Sequence, residues 1–194
     1  MPGLLVMSWL ALLALWASWR IGSGNAGPDP AKWLLHESGF WALVLLCATL
    51  SISTLRRFSG RPALMRWRRP LGLAGFAVAS AHLLVYLTVF HGLDWPAIVD
   101  DLTRRSYIII GATAWLLLVP MALTSTRAAR RRLGERWTRL HRVFYLLLPL
   151  AVLHQGLAQK ADLGQTLVFS AVVACFLIER VRARRGASRK AEKA

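Results

Sequence analysis

Apolar residues in this chain come in long blocks rather than in strand-like alternation: Leu4 to Trp19, Gly39 to Leu55, Pro70 to His91, Ser106 to Ser125, Leu140 to Gln159 and Leu163 to Ile178. Most run 16 residues or more without a charge, close to the ~20 residues with which a helix crosses about 30 Å of hydrocarbon. A segment in lipid must satisfy its own backbone groups, so each block reads as a membrane-spanning helix. The pattern predicts an all-α fold: a polytopic bundle of six transmembrane helices over residues 1–180, followed by a basic tail over 181–194. Between the blocks lie turn and cap signals. GSGNAGPDP reads as a loop, Ser38 as a cap for the second helix and Pro70 as the opening of the third, with Pro120 and Pro149 as expected kinks.

Composition agrees with a membrane chain: 56% of residues are hydrophobic and the mean hydropathy is +0.44. A net charge of +16 would suggest nucleic acid in a soluble protein, but the positions of the cations point elsewhere. Of the 25 lysines and arginines, twenty fall in Arg56 to Arg69, Arg127 to Arg142 and Arg180 to Lys193. The alternate loops hold only Arg20, Lys32, Arg104, Arg105 and Lys160. Under the positive-inside rule both termini and both arginine-rich loops are cytoplasmic, so no nucleic-acid partner is implied; the basic face meets membrane lipid. MPGLLV lacks a basic leader, so the first block reads as a retained helix. Cys47 and Cys175 sit inside blocks without metal spacing and read as small core residues.

Candidate chemistry rests on histidine, because an ionisable group inside a span marks a functional site and neutral imidazole ligates haem iron. His141 and His154 stand at the two ends of LHRVFYLLLPLAVLH. Thirteen residues apart, they are separated by about 20 Å along a helix and cannot share one iron. On a straight helix they point about 140° apart, and a kink at Pro149 would bring them toward one face. His82 lies twelve residues into the third block, at the depth of His154 on a helix running the same way, so one iron can take both. Its helix is lined with small residues, among them Gly72, Gly75 and Ala79, which admit a close helix or a flat macrocycle. His36 and His91 read as interfacial, and Asp94, Asp100 and Asp101 as solvated partners of Arg104 and Arg105. The chain has no GxGxxG, no P-loop and no evident serine or cysteine nucleophile, so an electron donor must be separate.

The ordered set RRPLGLAGF with AHLLVY around His82, RRSYIIIGATAW, MALTSTR and RRLGERWTRLHRVFYLLLPLAVLH resembles the MsrQ (YedZ) family. That family comprises the haem-binding membrane subunits of bacterial periplasmic methionine sulfoxide reductase systems, within the ferric-reductase-like transmembrane group. The resemblance spans roughly residues 30 to 180 and implies haem-linked roles for His82, His141 and His154. It also implies b-type haem, FMN, electrons from the quinone pool or a cytoplasmic flavin reductase, and delivery across the bacterial inner membrane to an MsrP-like molybdenum-cofactor reductase. The chain departs from the family pattern at HESG and STLRR around the second helix. Wider relatives such as the NADPH oxidases carry a second histidine on the third helix, where this chain has Arg68. His82 and His154 are therefore expected as axial ligands of an outer haem. His141 is left for a second haem or for a quinone or flavin contact. The competing readings are a ferric reductase membrane module and a non-redox transporter or scaffold.

Overall fold

The computed structural model describes residues 2–159 and 163–192; Lys160 and Lys193 of the charge count lie outside them. The described residues are helical, without strands. In order they form α1 (Pro2–Gly22), α2 (Pro30–Ser59), α3 (Met65–Val85), α4 (Trp95–Arg104), α5 (Ser106–Leu123), α6 (Arg127–Leu133), α7 (Glu135–Arg142), α8 (Phe144–Ala158) and α9 (Leu163–Glu192). A 3₁₀ turn, Pro62–Leu64, precedes α3 and a π turn, Tyr86–Phe90, prolongs it. Five helical stretches among the described residues are long and apolar enough to cross a membrane: Pro2–Gly22, Pro30–Ser59, Pro62–Phe90, Ser106–Leu123 and Glu135–Ala158. The sixth apolar block forms the first part of α9.

Four local expectations are corrected. Cys47 is buried as expected, but Cys175 on α9 is exposed and not a core residue. Ser38 does not cap α2; that helix starts earlier, at Pro30, with the Asp29 carboxylate accepting from Lys32 N–H at 2.9 Å. Ser38 lies inside the helix and donates back to the Leu34 carbonyl at 2.8 Å. Pro70 does not open α3 but lies within it, because Pro62 already starts a 3₁₀ turn that leads into Met65. The run from Leu140 to His154 is not one helix kinked at Pro149. It breaks at Val143, whose carbonyl accepts from both Leu146 and Leu147 N–H at 2.9 Å, and Pro149 sits inside α8.

The core lies between α2, α5, α8 and α9. Leu43, Leu46, Leu50, Leu118, Met121 and Val173 close around Leu147 and Leu148, which are fully buried. Burying a leucine in this way stabilises by about 1.5–3 kcal/mol in water; within lipid, close packing takes over that role. Close approach of α2 and α3 is tightest at Gly75, where a Cβ would meet Leu46 Cδ2 at 2.9 Å and Cγ at 3.2 Å; at Gly72 it would make only ordinary contact with Thr49 at 3.5 Å. The stripe of small residues on α3 thus serves helix contact. α1 is peripheral, touching the bundle through Val6, Trp9 and Leu10 while Leu4, Leu5, Leu12 and Leu15 stay exposed, as side chains bathed in lipid do.

Side-chain contacts give the directions. Trp9 meets Trp41 and Trp16 meets Trp33, so α1 opposes α2. Phe40 meets Phe169 and Thr54 meets Glu179, so α2 and α9 run together. The arginine-rich turns therefore gather at one end of the bundle with the start of α1. At that end Glu179 of α9 accepts from Arg57 at 2.6 Å and from Thr54 at 3.0 Å. At the other end the Arg20 guanidinium stands over Trp16 and Trp33, 5.8 and 5.5 Å from their ring centres.

Candidate functional site

Helix α3 brings His82, and α8 brings His154, to the end of the bundle opposite the arginine-rich turns. The two rings face one another with centroids 6.1 Å apart and planes at 84°. His82 Nδ1 donates to the Leu35 carbonyl at 2.9 Å, with Ser38 Oγ 3.3 Å away. His154 Nδ1 donates to the Tyr107 carbonyl at 2.7 Å. A carbonyl only accepts, so both protons sit on Nδ1 and both Nε2 lone pairs remain for a metal. A carbonyl behind the imidazole is the support that metal-ligating histidines usually have, and it raises their basicity.

Both rings also rest on a glycine. A Cβ on Gly39 would lie 3.1 Å from His82 Cε1, and one on Gly111 would lie 2.6 Å from His154 Nδ1. In each case the accepting carbonyl stands 47 positions before its histidine and one helical turn before the glycine. The pairs α2–α3 and α5–α8 thus build the same support twice. Sequence reasoning missed both glycines. Their signal is a repeated Gly-to-His spacing, Gly39 to His82 and Gly111 to His154, which acquires meaning only once the helix pairs are known.

Two imidazoles that ligate one metal from opposite sides, at about 2 Å each, have ring centres about 6 Å apart. The observed pair has that separation. Among the described residues no group of three or more histidine, cysteine, aspartate or glutamate side chains is arranged to hold a bare ion. Two neutral imidazoles are a donor set that haem iron takes, the porphyrin supplying the other donors. The donor chemistry therefore fits haem.

His141 is not part of this pair. Its ring stacks on Trp137, 4.0 Å between centroids and 23° between planes, and its Nδ1 donates to the Trp137 carbonyl at 3.1 Å. Arg68 is near enough to act on it electrostatically. Arg130 stands over the other ring of the stack, 5.1 Å from the Trp137 centre. Where the His82–His154 level has two imidazoles facing, the His141 level has an imidazole and a guanidinium.

Of the remaining polar candidates, His36 is exposed. Asp101 departs from expectation. Its side chain is only 14% exposed, with one oxygen 2.8 Å from Arg105 Nε and the other 3.3 Å from His91 Nε2 and 3.1 Å from the Tyr86 hydroxyl. Arg105 in turn donates to the Tyr107 hydroxyl at 3.2 Å, the bond that chiefly raises its pKa above the usual guanidinium value.

Residues 38–152 match the family model described as "Ferric reductase like transmembrane component". The chain is 42% identical over 186 residues to the protein-methionine-sulfoxide reductase heme-binding subunit MsrQ of Xanthomonas campestris pv. campestris (strain 8004), covering 95% of this chain and 85% of the relative. It is 41% identical over 174 residues to the MsrQ of Xanthomonas axonopodis pv. citri, covering 89% and 80%. To the MsrQ of Caulobacter vibrioides it is 38% identical over 185 residues, covering 93% and 88%. No solved structure matches.

Proposed function

The chain belongs to the ferric-reductase-like transmembrane family, among the MsrQ haem-binding subunits, and on that premise we propose that it carries electrons across the bacterial inner membrane to a periplasmic reductase of methionine sulfoxide in proteins. His82 and His154 would hold a b-type haem at the outer end, and the observation that carries this reading is their 6.1 Å ring separation with both Nδ1 atoms held by carbonyls. Bound there, haem would supply a one-electron iron couple. Leu35 and Tyr107 fix the tautomer of the two imidazoles, and Gly39 and Gly111 leave room for the rings. Held by two imidazoles, such a group would be suited to electron transfer rather than to oxygen chemistry.

Six spans with both termini and the 181–194 tail in the cytoplasm are supported by the gathering of arginines at one end of the bundle. His141 lies toward that end, where electrons enter. Its stacked Trp137 and the nearby Arg68 suit a planar, partly anionic group, so it serves a quinone, a flavin such as FMN, or a second haem. The donor is the quinone pool or a cytoplasmic flavin reductase, and the recipient is an MsrP-like molybdenum-cofactor enzyme.

The deciding experiment is a reduced-minus-oxidised absorption spectrum with haem quantification on detergent-purified protein. A low-spin b-type spectrum is expected, lost in both His82→Ala and His154→Ala. Folded wild-type protein without haem would overturn the reading.

A further inference from the structure

Helix α4 lies across the outer end of the bundle, held there by few side chains. Its Asp94 cap accepts from Ala97 N–H at 3.3 Å, and of its apolar residues only Ile98 is buried, while Trp95 and Val99 are exposed. Asp101, one turn beyond Ile98 on the same face, is the polar counterpart of that anchor. Its carboxylate is shielded and takes three partners from three segments: Tyr86 from the π turn after α3, His91 beyond that turn, and Arg105 at the head of α5.

Two of those partners lead directly to the histidine pair. Tyr86 stands four residues after His82, one helical turn along the same face, and opens the π turn Tyr86–Phe90. Arg105 donates to the hydroxyl of Tyr107, and the Tyr107 carbonyl holds His154 Nδ1 at 2.7 Å. A single carboxylate thus joins the helix that carries one imidazole to the residue that orients the other. Insertion of one residue in a π turn is a frequent mark of functional sites. Here it falls where the chain must carry both Tyr86 and His91 to the same carboxylate.

We propose that Asp101 is a positioning residue of the outer haem site, clamping α3 against the start of α5 so that His82 and His154 keep their facing geometry and setting, with Arg105, the charge around them. The inference rests on the haem reading above. Removing the carboxylate has two effects of the same sign. An unpaired Arg105 favours the iron state that carries one more electron, and a looser Tyr107 carbonyl makes the His154 imidazole less basic, again favouring reduced iron.

The test is potentiometric titration of haem in detergent-purified full-length wild type, Asp101→Asn and Asp101→Glu, with ligand-field spectra and amide exchange over residues 95–104 measured also on haem-free protein. Asp101→Asn is expected to keep haem, shift the midpoint potential upward and speed exchange in α4; Asp101→Glu is expected to bring the potential back toward wild type. An unchanged potential and spectrum in Asp101→Asn, even with a lowered melting temperature, would reduce Asp101 to a fold contact and overturn the proposal while leaving the haem reading intact. Should Asp101→Asn not fold, Tyr86→Phe, which keeps the ring and the carboxylate, must alter the ligand-field spectrum and speed exchange in α4; no change in either overturns the proposal. Haem-free wild type would overturn both readings together.

Discussion

Gly111 and His154 approach so closely that a single methyl group does not fit between them: a Cβ on Gly111 would stand 2.6 Å from Nδ1 and 2.7 Å from Cε1 of the imidazole. The ring cannot retreat without giving up its 2.7 Å bond to the Tyr107 carbonyl. Gly111→Ala is therefore expected to displace the ring. Overpacking of this kind costs about 1–3 kcal/mol, so haem affinity should fall by roughly tenfold or more, measured as haem per protein after purification. Gly39→Ala, with its nearest contact at 3.1 Å, should lose less. Equal haem content in Gly111→Ala and wild type would contradict the assignment of His154.

His141 is predicted to be separable from the outer pair. Its partner is Trp137, by stacking and by a hydrogen bond, with Arg68 near enough to act electrostatically, and neither touches His82 or His154. In His141→Ala the low-spin spectrum of the outer pair should persist while reduction by the cytoplasmic-side donor slows several-fold. Stopped-flow reduction checks this, and loss of the outer spectrum would show the two levels to be coupled.

The ion pair at the basic end is structural. Glu179 keeps only 18% of its side chain exposed and accepts from both Arg57 and Thr54, tying α9 to α2. Glu179→Gln should lower stability by about 1 kcal/mol, between the values for exposed and buried pairs, without changing the haem spectrum. Thermal melting in detergent reads the first effect and absorption the second.

Orientation is open to a direct check. A cytoplasm-dependent fluorescent reporter fused after α9 should be active, and a periplasm-dependent phosphatase inserted between Ser23 and Gly27 should be active as well. The reverse pattern would invert the direction of electron flow proposed here.

Much of this protein is legible in one dimension. Hydrocarbon thickness translates directly into block length, so the helices, and with them the clustering of arginines, follow from composition along the chain. Depth along parallel helices is likewise a matter of counting, which is why His82 and His154 emerge as a pair before any coordinates. What the sequence could not determine depends on lateral neighbours. The break at Val143 rather than at Pro149 arises from how the α7–α8 turn closes its hydrogen bonds. Gly39 and Gly111 look like any helical glycines until the ring each supports is placed beside it. Asp101 reads as one of three solvated carboxylates, and only the folding of α4 across the bundle end distinguishes it, by removing it from water and giving it Tyr86, His91 and Arg105. Burial and partner choice are set by contacts between segments distant along the chain, and no local pattern encodes them.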